Sequence, residues 1–344
     1  MPSLAARAVL LLLVVSWATA FASDPPLDLE HANARALVVA SEIATRQAEL
    51  EAARRDAQRA ALDPLASTLD RLQADHGLAS AEAALAAAER AAVRGAFDAY
   101  TDVLERLNAL REASARAEIA AAQAAAAAVR YEAGVITALA LDEARSTAEA
   151  ARRAERDAAT ALDGAWIDLA AHIGLEVSAL RAAGVVPLDA ALPAEPDFDA
   201  DLERLRATHV GIAAAERSVA LARIRLQGTD HLGSSPNAVA DARAALASAV
   251  RRFEDAEQGA AQQVRNAFQS LLVAYGRFED AVVADAAAAA TFEAQRIRNE
   301  AGELAPIAWL QAHLDRDRGE ASMHAALHVA YAAWLRYQQV LHGH

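Results

Sequence analysis

The sequence predicts an all-α protein, a tandem repeat of long antiparallel helical hairpins with coiled-coil seams and no evident β-barrel. Three observations predict it. The first is a duplicated turn: Arg130-Tyr131-Glu132-Ala133-Gly134-Val135-Ile136 recurs as Arg298-Asn299-Glu300-Ala301-Gly302-Glu303-Leu304, 168 residues on. Downstream the register holds, because Trp166, Leu169 and Ile173 fall on Trp334, Tyr337 and Leu341. Upstream, Val93, Phe97, Tyr100, Leu104 and Leu107 match Val264, Phe268, Leu271, Tyr275 and Phe278 at a separation of 171. Their four-three spacing marks coiled-coil seams, and the three-residue difference implies a stammer in the first helix. The second observation is composition. Hydrophobic residues make up 55% of the chain but aromatics only 5%, since alanine dominates, and alanine favours thin helices whose axes approach closely. The third is that no stretch sustains the period-two alternation of a strand.

Taken in order, the elements begin with Arg7 and an apolar run from Ala8 to Val15, followed by small residues at Ala18, Ala20, Ala22 and Ser23. This is the pattern of a secretory signal peptide, residues 1–23, and the run is shorter than the ~20 residues of a spanning helix. The first repeat, 24–175, opens with a helical pattern from Leu27 to Ala61, broken by Asp63-Pro64. A short helix over 65–75 is expected to stop at Asp75-His76-Gly77. Ser80 is then a candidate N-cap for a helix of roughly 80 Å ending at Ala133. Gly134 closes it, and a return helix runs from Leu139 to Ile173. Gly184, Pro187, Pro193 and Pro196 make 176–200 an extended linker. The second repeat, 201–344, follows the same plan: a helix from Asp201 to Leu226, a turn-rich loop from Gly228 to Pro236, a long helix to Ala301, and a return helix to Leu341. Pro306 sits at an early helical position, where the missing N–H does no harm.

Charge and chemistry narrow the function. The 33 basic against 47 acidic residues give a net charge of -14, which argues against nucleic acid as a partner. With no cysteine, disulfides, thiolate metal sites and cysteine-borne lipid anchors are excluded. Glu320, His324 and His328 share one helix face at i, i+4 and i+8, a spacing that also suits weak metal binding. Ala325 and Ala326 remove any HExxH motif, so a solvated stripe is the reading, with no metal and no cofactor. No phosphate loop or nucleophile elbow is present, and the chain does not read as an enzyme.

The Arg-x-x-x-Gly turns, each followed by an Ala-rich helix and given twice in an exported chain, resemble the TolC family of outer-membrane efflux ducts. The likeness runs from about Leu29 to Leu341. It implies a homo-trimer forming a hollow α-helical cylinder, an α-barrel, across the periplasm. A periplasmic membrane-fusion adaptor would dock at the tips, and an inner-membrane transporter would supply the energy. The tip residues would be Arg130, Gly134, Val135 and Ile136 in one repeat and Arg298, Gly302, Glu303 and Leu304 in the other. The seams led by Val93 and Val264, with Trp166 and Trp334 as anchors, would pair the helices. Independently of the likeness, glycine enters the left-handed region cheaply, and Val135-Ile136 on a turn is a small apolar contact for another hairpin.

Two departures qualify the resemblance. The family inserts a β-hairpin between the paired helices of each repeat, and a barrel strand needs ~9–11 alternating residues. Residues 62–80 and 227–240 are too short and too charged for that. Where family members often carry Asp six residues beyond the tip glycine, this chain has Ala140 and Ala308, with Asp142, Glu143 and Asp315 nearby. Two functions therefore stay open: a conduit subunit of an efflux or export system, or a barrel-less structural spacer of the envelope. Attachment to the outer membrane through a separate component, or peripherally, is open as well.

Overall fold

The computed structural model describes residues 26–188, 191–230 and 235–343. The expected signal peptide, and His231–Ser234 of the second loop, lie outside the described residues. Among those described there are nine helices. The first repeat holds α1 (Leu29–Val39), α2 (Ser41–Leu62), α3 (Thr68–Glu132) and α4 (Ala138–Ile173), followed by α5 (Val177–Ala183). The second holds α6 (Phe198–Thr208), α7 (Val210–Thr229), α8 (Pro236–Glu300) and α9 (Pro306–His342). The only β pairing among the described residues is one isolated parallel bridge, Leu27 to Val185, so these residues form no barrel.

Each long helix starts on a serine. Ser67 accepts from the Asp70 N–H at 3.1 Å while the Asp70 carboxylate accepts from the Ser67 N–H at 2.9 Å, a complete capping box. Ser235 accepts from Ala238 at 3.1 Å, with Pro236 in the first helical turn. From these caps α3 and α8 each run 65 residues, ~98 Å at the standard rise. The upper part of α3 pairs with α2, where Arg54 meets Glu82 at 3.9 Å. Its lower part pairs with α4, whose His172 ring lies against Gly95 so closely that an added Cβ would sit 2.9 Å from it. The same division holds in the second repeat, with α7 and then α9 along α8.

The first core gathers where the halves meet: Ala32 and Ala36 of α1, Ala96, Tyr100 and Val103 of α3, and Trp166, Leu169 and Ile173 of α4. The Tyr100 hydroxyl lies 2.8 Å from the Leu27 carbonyl and accepts from the Val186 N–H at 3.0 Å. It thereby ties the chain entering the first repeat to the chain leaving it. The second core is built from Leu205, Ile212, Val264, Leu271, Tyr337 and Leu341. Between the repeats α9 lies antiparallel to α3, linked by Arg94 to Gln339 at 2.9 Å, Glu105 to His328 at 3.3 Å and Glu112 to Arg318 at 2.6 Å. The helices thus run side by side in the order α4, α3, α9, α8, with α4 and α8 at the lateral edges.

Four expectations are corrected. No helix stops at His76-Gly77: α3 runs through, because the Ser67 box nucleates it and an interior glycine costs only about 1 kcal/mol. The stammer is absent as well. Ser67 and Ser235, Glu132 and Glu300 all keep the 168-residue register, which places Ala96 and Val103, not Val93 and Tyr100, at the positions of Val264 and Leu271. All four are fully buried. Alanine takes a seam position where the other repeat uses valine, so the large side chains of the two repeats align about one turn out of register. Thirdly, the continuous helices expected over 27–61 and 201–226 are each interrupted, at Ala40 (φ -61, ψ 110) and at His209 (φ -83, ψ 115). Finally, the linker 176–200 is not wholly extended, since it contains α5.

Candidate functional site

Both tips lie at the same end of the molecule, because α9 rises from its tip antiparallel to α3. Each is closed by the same hydrogen bonds. In the first, the Gly134 N–H donates to the Tyr131 carbonyl at 2.9 Å and the Val135 N–H to the Arg130 carbonyl at 2.8 Å. In the second, Gly302 donates to Asn299 and Glu303 to Arg298, both at 2.9 Å. This double bond pattern is the Schellman motif, which needs a left-handed residue at the glycine position. Gly134 (φ 70) and Gly302 (φ 76) supply it. The turns then restart differently: Thr137 accepts from the Ala140 N–H at 3.2 Å to cap α4, whereas α9 relies on Pro306 with no side-chain cap.

The surfaces of the two tips differ in chemistry. At the first, Val135 is 71% and Leu139 69% exposed, with Val129 and Tyr131 also open and Ile136 half-buried. Arg130 and Gly134 are exposed beside them. At the second, Arg298, Gly302 and Glu303 are exposed and Leu304 is half-buried. Arg296 there is held by Glu293 and Glu300, and hydrogen bonding to Glu293 raises its pKa while Arg296 lowers that of Glu293. The first tip is thus an apolar knob, whereas the second keeps only Ile297, the counterpart of Val129, exposed beside its ion pairs. Sequence reasoning named Val135 but missed Val129, Tyr131 and Leu139. Their signal was available as apolar residues on successive turns flanking the glycine.

Above the second tip, Phe292 stacks on Trp309 with ring centroids 5.3 Å apart, and His313 meets Trp309 edge-on at 4.3 Å. A shallow groove beside them is lined by Phe292, Arg298, Leu304, Ala308, Gln311 and Arg316. Arg316 is tied across the hairpin to Asp285. Ala308 is exposed and Ala140 half-buried, so neither puts an acid at that level. Asp142 and Asp315 are exposed, with Arg145 at 3.8 Å and Arg318 at 3.3 Å, and Glu143 is exposed too.

Of the seam residues, Phe97, Tyr100, Leu104 and Trp166 are buried in the first repeat and Val264 and Leu271 in the second. Val93, Phe268, Tyr275 and Trp334 are half-buried. Phe268 stacks on Phe198 at 4.7 Å, and the Tyr275 hydroxyl donates to the Pro193 carbonyl at 2.9 Å. The histidine stripe divides: His324 lies 4.0 Å from Glu320, while His328 is buried against Glu105. No group of three or more acidic or histidine side chains among the described residues is placed to hold a metal ion. No described helix is long and apolar enough to cross a membrane.

Solved structures share this arrangement. The outer-membrane channel OprN superposes with a TM-score of 0.61 at 18% identity, covering 92% of this chain and 90% of its own. The outer-membrane protein VceC of Vibrio cholerae gives 0.62 at 14%, covering 92% and 96%. CusC, described for transmembrane channel formation, gives 0.62 at 15%, covering 92% and 95%. No family model matches the sequence, and no curated protein sequence does. The chain has the helical fold of TolC-like outer-membrane channels, without a barrel among its described residues.

Proposed function

We propose that this chain is an envelope protein, the helical subunit of a TolC-like conduit in an efflux or export system. Its work is geometric and involves no catalytic step. Three copies would close into a cylinder, and the glycine tips would dock the hairpins of a periplasmic membrane-fusion adaptor served by an inner-membrane transporter. The observation that carries this reading is the pair of Schellman-closed tips, brought to one end of the molecule by 65-residue helices in a fold shared with outer-membrane channels. Such a tip is held rigidly by its own backbone bonds, so the exposed Val135 and Leu139 are presented without an ordering cost.

The cysteine-free chain offers a direct test. A single Val135→Cys substitution gives one thiol for cross-linking in intact cells, and the expected product joins it to a periplasmic adaptor. Val135→Glu together with Leu139→Glu should abolish both capture and export while the helical circular dichroism stays unchanged. Unaltered export in that folded double variant would defeat the docking role.

One observation favours a second reading, a structural spacer of the envelope. At the end away from the tips, α2 and α3 are joined by residues 63–67 alone, with no strand between them. A conduit would then need a separate outer-membrane component or peripheral attachment. Deletion that alters envelope spacing but leaves efflux intact would select the spacer.

A further inference from the structure

Each repeat has a joint where its first helix pair bends over the end of the return helix. The first joint is Ala40, beside Gly174 (φ 64); the second is His209, beside Gly343 (φ 76). Both glycines are left-handed and tightly covered. A Cβ on Gly174 would lie 2.7 Å from Val39, and one on Gly343 would lie 2.6 Å from the His209 ring. The ring also presses on Gly211, where an added Cβ would meet it at 3.0 Å. It is therefore held between two glycines.

The chemistry of the joints differs. At the first, Ala40 provides no side-chain cap, and Arg35 closes the end of α4 instead, donating to the Ile173 carbonyl at 3.0 Å and to the Gly174 carbonyl at 3.1 Å. That closure uses no imidazole, and His172 in the same turn of α4 faces the Asp168 carbonyl and Gly95 instead. At the second, His209 Nδ1 accepts from the Ile212 N–H at 3.2 Å and is the cap of α7. Acceptance at Nδ1 requires a ring with no proton there.

We propose that the α6–α7 joint is a proton-sensitive hinge, in which protonation of His209 and His342 releases the cap of α7 and the hold of α9 upon it, while the α1–α2 joint stays indifferent to pH. A proton on Nδ1 would point a donor at the Ile212 N–H, and the two histidines would acquire like charges beside each other. Of the surrounding groups, Arg90 favours the neutral state of His342 and Asp201 opposes it. From α3 comes Arg90, whose Nη1 is buried with no hydrogen-bond partner among the described residues and whose charge is opposed by the preceding Glu89. From α6 come Asp201, which holds Arg204 at 3.1 Å and accepts from the Tyr337 hydroxyl of α9 at 2.8 Å, and Arg206. Arg206 is matched by Glu216 of α7 at 3.6 Å and Glu257 of α8 at 3.5 Å.

Burial, then the nearby His342, lowers the pKa of His209; burial, then Arg90, lowers that of His342, against partial opposition from Asp201. For a base whose folded pKa is depressed, the unfolded chain binds more protons as pH falls. The joint's contribution is therefore complete above the ordinary imidazole value of 6.5 and is lost as pH drops through the lowered values.

The test is hydrogen exchange of the mature full-length protein read by mass spectrometry at about pH 7.5 and about pH 5, corrected for intrinsic exchange. Protection over 205–213 and 338–343 should fall about tenfold on acidification, while 36–44 and 170–175 hold theirs. His209→Asn, whose side-chain carbonyl can accept from Ile212 but does not titrate, should abolish the fall over 205–213. His342→Gln should shrink it several-fold, and it serves alone if the first variant does not fold. An equal loss at both joints, or a fall that survives in every variant that folds, overturns the hinge.

Discussion

Gly134 and Gly174 share a left-handed backbone but not a neighbourhood, so an alanine at each separates strain from crowding. Around Gly134 an added Cβ meets nothing within 4 Å, whereas at Gly174 it would lie 2.7 Å from Val39. Gly134→Ala should therefore cost only the left-handed penalty, about 1 kcal/mol. Gly174→Ala should cost about 2–4 kcal/mol, because the joint must also move. Urea unfolding of the two variants checks this, and equal losses would show that Val39 yields freely. Tyr100 makes a second residue-scale case. Its hydroxyl bonds where Leu27 and Val186 cross, but the Val186 N–H also donates to the Leu27 carbonyl at 3.0 Å, so Tyr100→Phe leaves both backbone groups paired and should cost about 0.5–1.5 kcal/mol. Burial also pushes this phenol up to about 12, so it stays protonated through any ordinary titration. The Gly134 and Gly302 turns were legible in the sequence because glycine after an Ala-rich helix has a specific backbone meaning. Tyr100 was read as a seam residue only, since its polar partners lie 73 and 86 positions away.

At the scale of the helix, Gly77 shows why local signals misread α3. Asp75-His76-Gly77 resembles a stop, yet a helix of 65 residues with a capping box at Ser67 has enough propagation to absorb one glycine. Open space surrounds Gly77, so Gly77→Ala should raise stability by about 1 kcal/mol, visible as a shift in the unfolding midpoint with an unchanged slope. Ser67→Ala, which removes the box, should lower stability by about 1 kcal/mol. The break at Ala40 had no comparable signal, because neither glycine nor proline marks it, and at His209 only Gly211, just inside the next helix, does. Both breaks arise from packing: the first helix of each repeat must turn to pass over the end of the return helix, and Gly174 and Gly343 make room for that crossing. The repeat register was legible at the turns and tryptophans but not along α3, where Ala96 occupies a position that its counterpart fills with Val264.

For the molecule as a whole, the lateral edges decide how copies meet. The interior seam between repeats combines apolar burial with Arg94–Gln339, Glu105–His328 and Glu112–Arg318, and it consumes one face each of α3 and α9. The outer helices α4 and α8 have no such neighbour. On α8, Leu272, Val273, Val282 and Val283 remain exposed, Val283 to 70%. Isolated exposed aliphatics are ordinary, but Leu272 and Val283 fall on one face of this edge helix, about 16 Å apart along its axis, where a neighbouring copy's α4 could cover both. The side-by-side order α4, α3, α9, α8 permits head-to-tail closure, since the two edges of each copy are different helices and the α8 edge of one can meet the α4 edge of the next. If the proposed cylinder forms this way, Leu272→Glu with Val283→Glu should place two like charges on the contacting face in every contact and leave the intramolecular cores untouched. Light scattering should then show the closed assembly falling to single chains while helical circular dichroism is retained. An assembly that survives the double substitution would mean that copies meet elsewhere, and the cylinder would have to be closed through a different edge.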